Sequence, residues 1–183
     1  MRVLGISGSL RRESHNTKLL LAAARLLPPG ADLVAFERLK EIPPYDEDDE
    51  ASDHEAVMAL REAIELSDAV LIVTPEYNHS LPGHLKNALD WMSRPLATSP
   101  LRGKPAAVIG GSTGMFGAVW AQAEARKVLA AIGASVLDRE LAVPAVDEQL
   151  SGDEPLLTER DLERTLTDLL AELTGLLPEP AAA

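Results

Sequence analysis

Arg2-Val3-Leu4-Gly5-Ile6 runs through Ser7-Gly8 into Ser9-Leu10-Arg11-Arg12-Glu13-Ser14-His15-Asn16. A short apolar run, a polar turn and then a stretch with Leu19, Ala23 and Leu26 on one stripe read as strand, loop and helix, the helix spanning residues 16–27. Pro28-Pro29-Gly30 stops it. The same alternation recurs outward from this unit. Strands are expected at 31–36, 69–73, 105–110 and 134–137, and helices at 54–67, from Pro82 onward, at 118–132 and at 156–177. Pro82 suits a first helical turn, where its missing N–H is harmless, and Leu85, Leu89 and Met92 then repeat on one face. Residues 69–73 are almost wholly apolar, as a strand covered on both faces must be, and mark the centre of a sheet.

Five strands alternating with five helices predict an α/β fold in which helices cover both faces of a parallel sheet. The element count fits a flavodoxin-like doubly wound five-stranded parallel sheet of order 2-1-3-4-5 better than a six-stranded dinucleotide fold. In that order a ligand lies beyond the carboxyl ends of strands one and three, where the winding reverses. Ser9 to Asn16 follow the first strand and Pro75-Glu76-Tyr77-Asn78 the third, so topology brings the two segments together.

Each segment has chemistry suited to that position. Gly8 relaxes the backbone, Ser9, Ser14 and Asn16 can donate to phosphate oxygens, Arg11 adds a guanidinium fork, and the helix start adds its partial positive charge. Neither the triphosphate-loop pattern nor the dinucleotide glycine pattern is present, which leaves a monophosphate at a helix start. Pro75 and Pro82 stiffen the chain around Glu76-Tyr77-Asn78, whose backbone amides can meet the polar edge of an isoalloxazine ring while Tyr77 packs beside it. Together the two loops read as a flavin mononucleotide (FMN) site, with Gly110-Gly111-Ser112-Thr113-Gly114 as a third wall. Taken singly, each loop also admits a plainer reading: Ser14 or Asn16 as a helix cap with the arginines in solvent, a turn with a surface tyrosine, an ordinary glycine-rich turn.

Composition narrows the field further. The chain has 183 residues, expected to form one domain over 1–177 with a disordered tail at 178–183. It has no cysteine, which excludes disulfides, thiolate metal sites, iron–sulfur clusters and thiol catalysis, so redox chemistry must come from a cofactor. A net charge of −12 argues against nucleic acid or an anionic membrane as partner, and no apolar run approaches a membrane span. A cytoplasmic protein is expected. Nearby arginines can still bind an anionic cofactor, because remote charges are screened within about 8 Å.

The strings Gly8-Ser9-Leu10-Arg11 with Ser14 and Asn16, Thr74-Pro75-Glu76-Tyr77-Asn78, Pro82-Gly83 and Leu85-Lys86-Asn87-Ala88-Leu89-Asp90-Trp91 resemble the NADPH-dependent FMN reductase family. Within it the chain is similar to the bacterial branch of quinone, chromate and azo-dye reductases, and the likeness covers almost the whole chain, including 42–46 and the Gly-bearing loop before the last helix. The resemblance implies non-covalent FMN, its phosphate on the loop carrying Ser9, Leu10, Arg11, Ser14 and Asn16, and its ring against Pro75, Glu76, Tyr77, Asn78, Ser112 and Gly114. It also implies NADPH or NADH as donor, a small acceptor (quinone, azo compound, chromate or free flavin), and a homodimer or homotetramer. Hydride would pass from nicotinamide to flavin N5 and then to the acceptor at the same face, in ping-pong order with no side-chain nucleophile. His84 stands where a small residue is usual, and Met115-Phe116-Gly117 replaces a more glycine-rich turn, with bulk that could narrow the pocket. The alternatives are a flavodoxin-like electron carrier and a flavin-binding module without turnover.

The remaining candidates carry less. His15 is expected in or beside the phosphate loop, and His54 and His84 on helix surfaces; their scatter gives no metal-ligand spacing. His79 is a candidate proton donor at the pocket rim, set against a solvent-facing loop histidine, and no catalytic side chain is assigned. Trp91 and Trp120 are read as packing or subunit-interface residues, Lys86 and Asp90 as a surface pair, and residues 46–50 as a solvated acidic loop.

Overall fold

The computed structural model describes residues 1–151 and 156–175. In chain order its main elements are β1 (Arg2–Ser7), α1 (His15–Leu26), β2 (Asp32–Ala35), α2 (Glu55–Glu65), β3 (Ala69–Thr74), α3 (Gly83–Met92), β4 (Pro105–Gly111), α4 (Val119–Ile132) and β5 (Ser135–Val136). Five parallel strands lie in the order 2-1-3-4-5, as the alternation predicts. Every residue of β3 and β4 is buried, which is why both read as unbroken apolar or small-residue runs. One core, under α2, α3 and α4, contains Leu60, Ile64, Leu85, Met92, Ile72 and Leu129. The other contains Leu19, Leu20 and Ala23 of α1 with Leu71, Ile109, Leu166 and Leu170. Leu166 and Leu170 belong to the last helix, described below.

The carboxyl-terminal third departs from expectation. The single fifth strand expected at 134–137 is split: β5 pairs with Pro105–Ala106 at one end of β4, and a second piece, β6 (Ala142–Val143), pairs with Gly110–Gly111 at the other. A short helix α5 (Val146–Gln149) follows. Residues 156–157, expected to open the last helix, instead form β8 (Leu156–Leu157), antiparallel to β7 (Leu150–Ser151), and α6 starts only at Arg160 (Arg160–Gly175). Leu157 is buried beside α1 in the second core, so its pairing is fixed by packing that no local pattern announces. The expected tail at 178–183 and Gly152 of the loop before the last helix lie outside the described residues.

Two glycines hold the switch-point region by their size. A Cβ on Gly8 would sit 2.9 Å from a Leu85 methyl and 3.1 Å from the Thr74 hydroxyl, so close approach, and not a relaxed backbone angle, explains this glycine. Gly117 combines φ +56° with a would-be Cβ only 2.6 Å from the Ala142 and Val143 backbone, binding the loop after β4 to β6. None of the helices among the described residues is long and apolar enough to cross a membrane.

Candidate functional site

The register Ser7↔Val73 and Thr74↔Gly110 aligns the ends of β1, β3 and β4, so the loops that leave them meet. They enclose a cavity of about 300 Å³ lined by Ser9, Arg11, Ser14, Asn16, Pro75, Glu76, Tyr77 and Ser112, together with His15, Gly111, Thr113 and Val146. Of the expected site residues, Leu10, Asn78 and Gly114 are next to this wall in sequence but do not line it. Asn78 and His79 have φ of 55° and 59° and close a two-residue turn in which Tyr77 and Ser80 exchange backbone hydrogen bonds of 3.1 Å. Such a turn favours asparagine, which accounts for Asn78 without any ligand. Met115 and Phe116 are 77% and 56% exposed and line no part of the cavity.

The first loop carries donors suited to an anion. Ser14 caps α1: its hydroxyl oxygen accepts from Thr17 N–H at 3.3 Å and its carbonyl from Lys18 N–H at 3.0 Å. The N–H groups of His15 and Asn16 precede the first intrahelical bond and remain to serve a ligand at the positive end of the helix. The Arg11 guanidinium is exposed and has no acidic partner among the described residues. Asn16 has a different task from the expected phosphate donor. Its amide donates to Gly111 C=O and accepts from Gly111 N–H, both at 3.0 Å and both buried, tying the start of α1 to the end of β4.

The second loop is held by Glu76. α4 is preceded by Ala118, in the left-handed region at φ 64° and with no side chain able to cap. Glu76 reaches across instead, one carboxylate oxygen accepting from the N–H groups of Trp120 at 3.0 Å and Ala121 at 3.1 Å. A negative group at a helix start is favourable, so removing the carboxylate in Glu76→Ala is expected to lower stability by about 1–2 kcal/mol, read as a drop in thermal midpoint. Glu76→Gln keeps an acceptor there and should lose less.

The histidines divide differently from expectation. His84 is not a helix-surface residue: half-buried on α3, it donates from Nε2 to Gly8 C=O at 2.9 Å, and burial holds its pKa below the usual imidazole range. The bulky residue at this position thus grips the beginning of the first loop. His54 likewise leaves the surface, meeting the edge of the buried Trp91 ring at 5.3 Å between centroids. His79 is exposed, 3.6 Å from Glu76 and 4.6 Å between centroids from Trp120, and does not line the cavity. Lys86 and Asp90 pair at 2.6 Å, as their spacing predicts. Among the described residues no cluster of three or more metal-ligating side chains exists. Val146 lies outside the motifs named from the sequence and reaches the cavity because β6 pairs with Gly110–Gly111; His15, expected in or beside the phosphate loop, and Gly111 and Thr113, expected in the third wall, line it.

A doubly wound parallel sheet with hydroxyls, helix N–H groups and an arginine without an acidic partner among the described residues at its switch point, bordered by a tyrosine, defines a flavodoxin-like cofactor-binding protein. The donor set suits the phosphate of FMN, and the adjoining wall of Pro75, Tyr77 and Ser112 suits a flat, partly polar ring. The model of the NADPH-dependent FMN reductase family matches residues 1–148. The chain is 41% identical over 165 residues to an NAD(P)H-dependent FMN reductase of Pseudomonas aeruginosa, spanning 89% of this chain and 88% of that protein. It is 38% identical over 141 residues to a quinone reductase of Escherichia coli (strain K12), spanning 76% and 74%. The solved structure of FerB, a flavoenzyme NAD(P)H:(acceptor) oxidoreductase of Paracoccus denitrificans, shares a TM-score of 0.84 and 33% identity over 96% of each chain. The chain belongs to the NADPH-dependent FMN reductase family, and is an oxidoreductase that uses FMN with NAD(P)H as electron donor.

Proposed function

We propose that this oxidoreductase passes electrons from NAD(P)H to a quinone or a similarly compact, planar acceptor, with donor and acceptor using one open face in turn. The observation that carries this reading is the juxtaposition of Arg11 and Ser14 with the open Tyr77 wall in a single cavity. FMN, when bound here, would supply the redox-active ring for hydride transfer between the nicotinamide and the acceptor. Ser9, Arg11, Ser14 and the first N–H groups of α1 would hold the phosphate; Leu10 and Asn16 complete that loop. Pro75, Glu76 and Tyr77 would border the ring on one side and Ser112 on another, with Asn78 and Gly114 shaping the loops beside it. Glu76 and Asn16 act largely through the backbone they fix, because their side chains hold α4 and Gly111. No side chain serves as nucleophile.

The quinone assignment is supported by the similarity to the E. coli quinone reductase and by the FerB likeness. Tyr77, Met115 and Phe116 on neighbouring loops and Trp120 at the start of α4 are exposed, which supports association of copies as a homodimer or homotetramer. The protein is expected to act in the cytoplasm as one domain.

Absorbance spectroscopy tests the redox reading directly. FMN-loaded protein should lose its flavin band on anaerobic addition of NADPH and regain it on addition of a quinone. Parallel initial-rate lines at varied NADPH and quinone should accompany this cycle. A flavin that binds but is not bleached would overturn the reductase reading in favour of an electron carrier, and intersecting lines would overturn the shared face.

A further inference from the structure

His15 opens α1 and lines the cavity beside Ser9, Arg11 and Ser14. Its Nδ1 is buried without a hydrogen-bond partner, one of two such side-chain atoms among the described residues. Nε2 is not sealed in this way, and it too has no partner within the described protein. A neutral imidazole carries one N–H and one lone pair. An N–H at Nδ1 would bury a donor with no acceptor at the positive end of α1, where a lone pair is electrostatically favoured. The proton therefore belongs on Nε2, which leaves a donor without a task in the protein, within a cavity whose other donors suit an anion.

We propose that His15 is a further cofactor-binding residue, whose imidazole donates its Nε2–H to the FMN phosphate beside Arg11 and the serine hydroxyls. This rests on the reading that the loop of residues 9–16 holds the phosphate. His15 would then add a directional contact to the charge of Arg11, from the first residue of α1.

Quenching of flavin fluorescence on titration of flavin-free protein tests this, with FMN and riboflavin compared on the wild type, His15→Phe and His15→Gln. The wild type should prefer FMN strongly. His15→Phe keeps a ring but has no donor; it should weaken FMN binding about tenfold or more while leaving riboflavin binding unchanged. His15→Gln, whose amide nitrogen reaches about as far as Nε2, should recover most of the loss. Wild-type FMN affinity in His15→Phe would overturn the assignment of His15 alone. Equal weakening of both flavins with no recovery in His15→Gln would show a packing residue and overturn it as well. A wild type that binds riboflavin as tightly as FMN would instead overturn the phosphate reading on which the inference rests.

Discussion

Asn16→Leu is expected to destabilise the protein by about 2–6 kcal/mol, since each buried polar group left without a partner costs about 1–3 kcal/mol and this change orphans both the N–H and the C=O of Gly111. The leucine is close in size, so the effect should come from the lost bonds and not from a cavity. Urea denaturation should show the midpoint falling with little change in slope. Asn16→Asp separates the two halves of the tie: it keeps an acceptor for Gly111 N–H but faces Gly111 C=O with a second acceptor, and should fall between the wild type and the leucine variant only if it is protonated in the folded state. The tie joins the start of α1, at one wall of the cavity, to the end of β4, at another. Loss of flavin affinity should therefore accompany loss of stability in Asn16→Leu. Unchanged stability would show that water or a neighbouring group replaces the amide.

Arg11→Ala is the second large effect, and it should appear in binding with stability nearly unaltered. Arg11 is exposed and pairs with no acid among the described residues, so its removal leaves no uncompensated charge in the fold. A charged hydrogen bond to a phosphate contributes about 1.5–3 kcal/mol, equivalent to about a 10- to 150-fold rise in the dissociation constant for FMN. Riboflavin, which has no phosphate, should bind the variant and the wild type alike. Arg11→Lys should recover part of the affinity, because a point charge replaces the planar fork but cannot make paired bonds. Unchanged FMN affinity in Arg11→Ala would refute the placement of the phosphate on this loop.

The contrast between these two residues explains what was legible in the sequence. Arg11 stands in an exposed loop with no acidic partner among the described residues, so its proposed task is read from residue type and position after a strand. Asn16 looks equally like a phosphate donor in one dimension; its partner Gly111 is 95 residues away. The same holds at Glu76, a carboxylate in a loop expected to border a ring, which in the fold caps a helix starting more than forty residues later because Ala118 cannot. His84 reads as surface on a helical wheel and becomes a clamp only when α3 packs over Gly8.

By itself the sequence determined the strand–helix alternation, the buried centre at β3, the order of winding and hence the end of the sheet where the loops must gather. These follow from local periodicity and from the right-handed crossovers that parallel strands require, neither of which needs a distant partner to be known. It also determined the donor types after β1. Only the tertiary structure decided which of those donors are open and which are tied, the split of the fifth strand into β5 and β6, the pairing of Leu156–Leu157 with β7, and the arrival of Val146 at the cavity. A two-residue strand has too few side chains to carry a period, and a hydrogen bond across the sheet is specified by packing on both sides of it, so these features exist only once the core has formed around them.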